Sequence, residues 1–155
     1  MANILKRQRT PAAKPSTSWA RPLVAYEKVI RMAESWIFSD GTVPASPTAA
    51  LAVLRRRIDA GQLETSLTSS RGRFLAVVTN TERAMVMLLD DEADPGEHAV
   101  VPQAAGRSKG FILANGQHDE YLDEDTVPLP EALRIVDHIL TTGTPPGDTT
   151  WSVDR

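Results

Sequence analysis

Two short runs in the middle of the chain constrain its fold more than any other feature. "FLAVVTN" (74–80) and "RAMVMLLD" (83–90) are rich in residues that suit a pleated backbone and apolar on both faces, with a tight polar turn around Asn80, Thr81 and Glu82 between them. A strand that is wet on one side alternates apolar and polar residues, whereas a strand apolar on both sides is shielded on both. The pair therefore reads as a β-hairpin inside a covered sheet, and the covering layers must come from the rest of the chain.

Helical periods supply them. In "PLVAYEKVIRMAESWIF" (22–38), Leu23, Tyr26, Ile30, Ala33 and Ile37 recur at spacings of three and four, and Pro22 suits the first turn. The closing residues Ser35–Phe38 also suit a strand. "SDGTVPASP" breaks the pattern, and Ser46 before Pro47 predicts an N-cap. The helix that follows, "PTAALAVLRRRIDAGQ", turns Leu51, Leu54 and Ile58 inward and Arg55–Arg57 mainly outward, with Gly61 ending it. A last helix is expected in "PEALRIVDHILTTG", opened by Pro130 and stopped by Gly143, its inward stripe being Ala132, Ile135, Val136, Ile139 and Leu140.

Between these helices the acidic loop "DDEADPGE" leads to a strand at "HAVV". "AGRSKG" is a loop, and "FILANGQHDEYL" carries Asn115–Gly116, the strongest short hairpin signal. The expected class is α+β: an antiparallel sheet of about five strands packed by N-terminal helices and a C-terminal helix. Residues 22–155 are expected to form one domain, preceded by a basic, disordered arm over 1–21. That arm carries Lys6, Arg7, Arg9, Lys14 and Arg21, with no acid before Glu27.

Charge is divided along the chain. Residues 1–89 hold 13 Lys and Arg against 6 Asp and Glu; residues 90–155 hold 4 against 14. Such a division suits a charged partner, or a basic tail beside an acidic face. The arm serves either nucleic-acid contact or solubility, and the second reading is favoured, so nucleic acid is not the expected partner. Cysteine is absent, which removes disulfides, thiolate nucleophiles and cysteine metal sites. No run approaches the ~18 apolar residues of a membrane span. The basic start is not followed by an apolar segment, so no secretory signal is expected and the cytoplasm is the expected location.

Catalytic constellations are missing from the pattern. There is no phosphate-cradling glycine loop, since "GRSKG" lacks the spacing, and no nucleophile elbow. His98, His118 and His138 never fall at helical ligand spacing. In His118–Asp119–Glu120 only His118 and Glu120 would share a strand face, and two ligands are too few for a closed metal site. No catalytic residue, cofactor or metal is expected.

The acids remain. "DDEADPGE" supplies Asp90, Asp91, Glu92, Asp94 and Glu97, and "HDEYLDED" supplies Asp119, Glu120, Asp123, Glu124 and Asp125 around Tyr121. Clustered carboxylates can mimic a phosphate backbone and occupy a cationic groove on a nucleic-acid enzyme, speeding association and sharpening partner choice. The alternative is that they guard sheet edges from aggregation.

The C-terminal stretch "TVPLPEALRIVDHILTTGTPPGDTTW" tips the balance. An amphipathic helix preceded by Pro128 and Pro130, a Pro-containing turn (Gly143, Pro145, Pro146) and the near-terminal Trp151 are similar to the ending of the deaminase-associated immunity proteins of bacterial polymorphic toxin systems. These are the antidotes of double-stranded-DNA cytosine deaminase toxins. "RFLAVVTNTERAMVMLLDD" resembles the family's central hairpin, and "GQHDEYLDEDTVP" its polar segment before the last helix. The resemblance spans roughly residues 44–151. It implies a non-enzymatic protein that binds and neutralises a cognate, deaminase-like toxin domain one-to-one, by blocking its active site or its DNA-binding surface. The alternative is a nucleic-acid-binding or regulatory module using the basic arm. Contacts are expected at Asp90, Asp91, Glu92, Asp119, Glu120, Asp123 and Glu124, with Tyr121 as an exposed anchor. Trp151 and Gly143 are expected to be structural: Gly143 stops the helix and Trp151 folds back on the sheet or the helix flank. Burying that ring contributes on the order of 3 kcal/mol.

Overall fold

The computed structural model describes residues 34–154. The arm over 1–21 and the helix expected from Pro22 lie outside the described residues. The elements run β1 (Trp36–Phe38), α1 (Pro47–Asp59), β2 (Glu64–Ser69), β3 (Phe74–Thr79), β4 (Arg83–Leu89), β5 (Glu97–Val100), β6 (Arg107–Ile112) and β7 (His118–Leu122). A 3-10 turn (Asp123–Asp125), β8 (Val127–Pro128), α2 (Leu129–Thr142) and β9 (Thr150–Val153) complete them.

The α+β class holds, with more strands than the expected five. Seven form one sheet in the order β1-β2-β3-β4-β5-β9, with β8 paired to β4, and β6 and β7 form a separate ribbon. Every pairing is antiparallel. The extra strands are β1, β2, β8 and β9. β2 reads "ETSLTS" yet buries Thr65, Leu67 and Ser69 on alternate positions. Trp36–Phe38, the stretch open to either helix or strand, is an edge strand against β2.

Both described helices begin and end where the sequence places them. Ser46 Oγ accepts from the Ala49 amide, capping α1. Gly143 ends α2 at φ +81°, a left-handed geometry that only glycine adopts without strain. The expected inward stripe of α2 is buried throughout, as are Leu51, Leu54 and Ile58 of α1. Arg57 departs from the outward reading: its guanidinium lies 4.4 Å from the centre of the Phe38 ring and bonds Asp40 at 2.8 Å.

Strand register explains why the central hairpin is apolar on both sides. Leu67, Leu75 and Leu88 align on one face, with Val77 beside Val86, and this face meets α1 and α2 in a single core. Ala76 and Val78 point the other way and are also buried. The β6–β7 ribbon docks on β3 through its own side: Asn80 Nδ2 donates to Lys109 O at 2.8 Å, the Ala114 amide donates to Glu64 Oε1 at 2.7 Å, and Phe111 is fully buried. Helices thus cover one face of the sheet and the acid-rich ribbon stands on the other.

Trp151 folds back as a strand residue. It stands opposite Ala99 in β9 and packs, half-buried, against the core. A four-residue edge strand is a weak element, and the packed indole is one of its tethers.

Candidate partner-binding surface

The acids fall into two groups, separated along the ribbon. The first surrounds β5. The Asp90–Asp94 loop turns on Asp91, whose Oδ1 accepts from the amides of Ala93 (2.8 Å) and Asp94 (3.0 Å), while Asp94 Oδ2 accepts from the Asp90 amide at 2.8 Å. Gly96 closes the loop at φ +93°, a backbone geometry that strains any other residue, and a Cβ there would press on Leu89 Cδ1 at 2.8 Å. The loop delivers Asp90 and Asp94 to the neighbourhood of Glu97. Burial raises the Glu97 pKa, and the charges of Asp90, Asp94 and Asp154 raise it further.

The 3-10 turn joins this group from the ribbon side. The Val101 amide donates to Glu124 O at 2.9 Å, and Asp125 Oδ1 lies 3.0 Å from His98 Nε2. On its other nitrogen His98 meets Asp154 at 2.9 Å. Burial opposes a charge on this ring, but the hydrogen bonds to Asp125 and Asp154 outweigh it and raise the pKa above the usual histidine value.

The second group lies on the ribbon. Both Asp119 oxygens are occupied, Oδ1 by Gln117 Nε2 at 2.7 Å and Oδ2 by the Tyr121 hydroxyl at 2.8 Å. Tyr121 is half-buried, not exposed, with its ring edge-on to Phe111 at 4.7 Å. Burial first, then the bond to Asp119, push its phenol pKa upward. Glu120 makes a 3.2 Å ion pair with Arg107 in the open.

Asp123 is a knot between elements. Its Oδ1 accepts from Ser108 Oγ at 2.5 Å, and its amide donates to Gly106 O at 3.0 Å. Its carbonyl accepts from Arg83 Nη2 at 3.0 Å. Arg83 also donates to the Thr126 hydroxyl (2.6 Å) and carbonyl (3.0 Å), fixing β4, β6 and the turn together.

Of the eight expected contact residues, the structure therefore occupies Asp91, Asp119 and Asp123 internally and tucks Tyr121 against Phe111. Glu120 is exposed but paired. Asp90, Glu92 and Glu124 are exposed, and their carboxylates bond nothing among the described residues. Glu97, Asp125 and Asp154 belong beside them by position. His98 and Asp154 gave no sequence signal, because the contacts of His98 lie 27 and 56 residues away.

A cavity of about 180 Å³ beside Trp36, Pro44, Pro47, Ala50 and Leu140 is mainly apolar, and its carboxylate, Glu34, is paired with Arg73. No group of three or more His, Cys, Asp or Glu side chains among the described residues is placed to hold a metal ion. No described helix is long and apolar enough to cross a membrane. No protein-family model matches the chain, and no curated protein matches it either.

Proposed function

We propose that this chain is a non-enzymatic immunity protein that binds a cognate toxin domain of the nucleic-acid deaminase class and blocks its active site or DNA-binding surface. The observation that carries the reading is the arrangement around β5. Asp90, Glu92 and Glu124 project from two loops with carboxylates that bond nothing among the described residues, backed by Asp94, Glu97, Asp125 and Asp154. An enzyme that grips nucleic acid presents a cationic groove, and a rigidly held group of carboxylates is complementary to it. The same charges oppose a phosphate backbone, so the partner of this surface is protein. A toxin acting on nucleic acid is met inside the cell, which puts the work of this chain in the cytoplasm.

The contact surface centres on the loop Asp90–Glu92 and the turn at Glu124, with Glu120 at its margin. Asp91 shapes the loop from within and Asp123 holds the turn, while Asp119 and Tyr121 belong to the ribbon. A one-to-one complex of standard size, roughly 1,600 Å² of total buried area, is expected. Mixing the purified chain with the toxin domain encoded beside it, followed by size-exclusion chromatography with light scattering, tests this. A stoichiometric complex whose association slows with added salt is the expected result; two separate peaks at micromolar concentrations reject the proposal.

A further inference from the structure

His98 lies in β5, half-buried, with a carboxylate on each ring nitrogen. Nδ1 is 2.9 Å and 3.2 Å from the two oxygens of Asp154, and Nε2 is 3.0 Å from Asp125 Oδ1. A neutral imidazole has one N–H and one bare lone pair. In this site the lone pair would face a carboxylate oxygen across about 3 Å, whereas the imidazolium donates to both sides. The surrounding groups reinforce the positive form. The turn contributes Asp125 and the end of β9 contributes Asp154, while Glu97, next to His98 on β5, lies on the opposite face of the strand. Asp90 and Asp94 crowd Glu97 from the loop, and the strand partners of His98, Met87 and Ser152, are uncharged.

The two tethers are unequal. The turn carrying Asp125 is also held by Arg83, through Asp123 O and Thr126, and by the Val101–Glu124 bond. The end of β9 has one neighbouring strand, one further bond from the Asp154 amide to Gly96 O at 2.8 Å, and the half-buried Trp151. When only one donor remains on the ring, β9 is the side that yields.

We infer that His98 is a proton-operated clasp: its imidazolium holds the C-terminal strand β9 against β5, and loss of the proton frees that strand. Release uncovers the edge of β5 at Glu97–Val100 and lifts Trp151 from Ala99. The clasp is independent of the partner proposed above. Since the His98 pKa is raised by its carboxylates in the folded state, the clasp is fully closed below the ordinary histidine value of 6.5 and opens as pH climbs through the higher folded value.

Nitrogen NMR of the imidazole and amide hydrogen exchange, followed together from about pH 5.5 to about pH 8.5, decide the matter. Exchange is corrected for its intrinsic base catalysis. Expected is a doubly protonated ring at the acid end, with a pKa above 6.5. Protection of the Asp154 amide should fall by up to about ten-fold for each pH unit between 6.5 and that pKa and level off above it, while Val77 and Val86 in the core keep theirs. In His98→Gln the pH step in protection should vanish. A neutral ring at pH 6, or β9 protection that stays level through the His98 titration, overturns the inference. Both readouts come from the unaltered chain and do not depend on the variant folding.

Discussion

The guanidinium of Arg73 closes a two-pronged pair with Glu34, at 3.0 Å and 2.7 Å, and donates to Gly143 O at 2.7 Å. One side chain thereby joins the entry to β1, the β2–β3 turn and the C-terminus of α2, where a cation also meets the negative end of the helix. The Glu34 side chain is 3% exposed and Arg73 16%. Removing one member of such a pair strands the other without solvent. Arg73→Met should lower stability by about 3 kcal/mol in urea unfolding, and Glu34→Gln combined with it should restore a good part of that loss. A single-variant effect below about 1 kcal/mol would show the pair to be incidental.

Trp151 is held by area and not by polarity, since its Nε1 is buried without a hydrogen-bond partner among the described residues. Trp151→Phe should therefore be mild, under about 1.5 kcal/mol, because the lost donor had nothing to bond. Trp151→Ala should cost about 3 kcal/mol and raise amide exchange throughout β9. Equal costs for the two variants would mean that the indole nitrogen matters after all.

Asp123 was expected on the contact surface, and its bonds give it a different task. Asp123→Ala leaves Ser108 without its acceptor and removes the carboxylate 3.8 Å from Arg83. A loss of about 1–3 kcal/mol in thermal unfolding is expected. Affinity for a partner should be unchanged once the protein is folded. A fall in affinity without a fall in stability would return Asp123 to the contact surface.

Several carboxylates have lowered pKa values. Burial opposes ionisation of Glu34, but the bonds from Arg73 and Ser69 prevail; the Thr42 amide, then its hydroxyl, bring Asp40 to about 2; the Asp90 and Gly96 amides lower Asp94. Their contribution is complete above the ordinary carboxylate range near 4 and is lost as pH falls through their folded values. His98 has the opposite sign, contributing below 6.5 and fading as pH rises past its raised value. Glu97, whose ionisation the fold resists, also weakens the native state on the alkaline side of its own raised value. Thermal midpoints should accordingly be highest between about pH 4.5 and pH 6.5 and decline on both sides. A midpoint rising steadily from pH 6 to pH 8.5 would contradict the His98 assignment.

Elements with local punctuation were legible in the sequence. The Ser46–Pro47 start, the Asn80–Glu82 turn, the Asn115–Gly116 hairpin and the Gly143 stop each depend on a few adjacent residues, and each stands where it was placed. The strands that were missed have no such signal. β2 is built of Ser and Thr whose burial depends on lying beside β3, and β8 and β9 are strands only because β4 and β5 offer open edges. The surface divides in the same way. Acid clustering is visible along the chain, but only the fold shows which carboxylates are already bonded. Tyr121 looked like an exposed anchor until Phe111 and Asp119 came to lie against it.

Neutralisation of a toxin domain is proposed to run through the exposed carboxylates around β5. The direct measurement is deamination by the toxin domain proposed as the partner, with increasing amounts of the native protein or of Asp90→Lys/Glu92→Lys/Glu124→Lys. These three residues are exposed and their carboxylates bond nothing among the described residues, so the variant should keep its melting temperature. Complete inhibition at one equivalent of the native chain, with at least about ten-fold more of the variant needed, is the predicted result. Deamination unaffected by the native chain, or equal inhibition by both proteins, would contradict it.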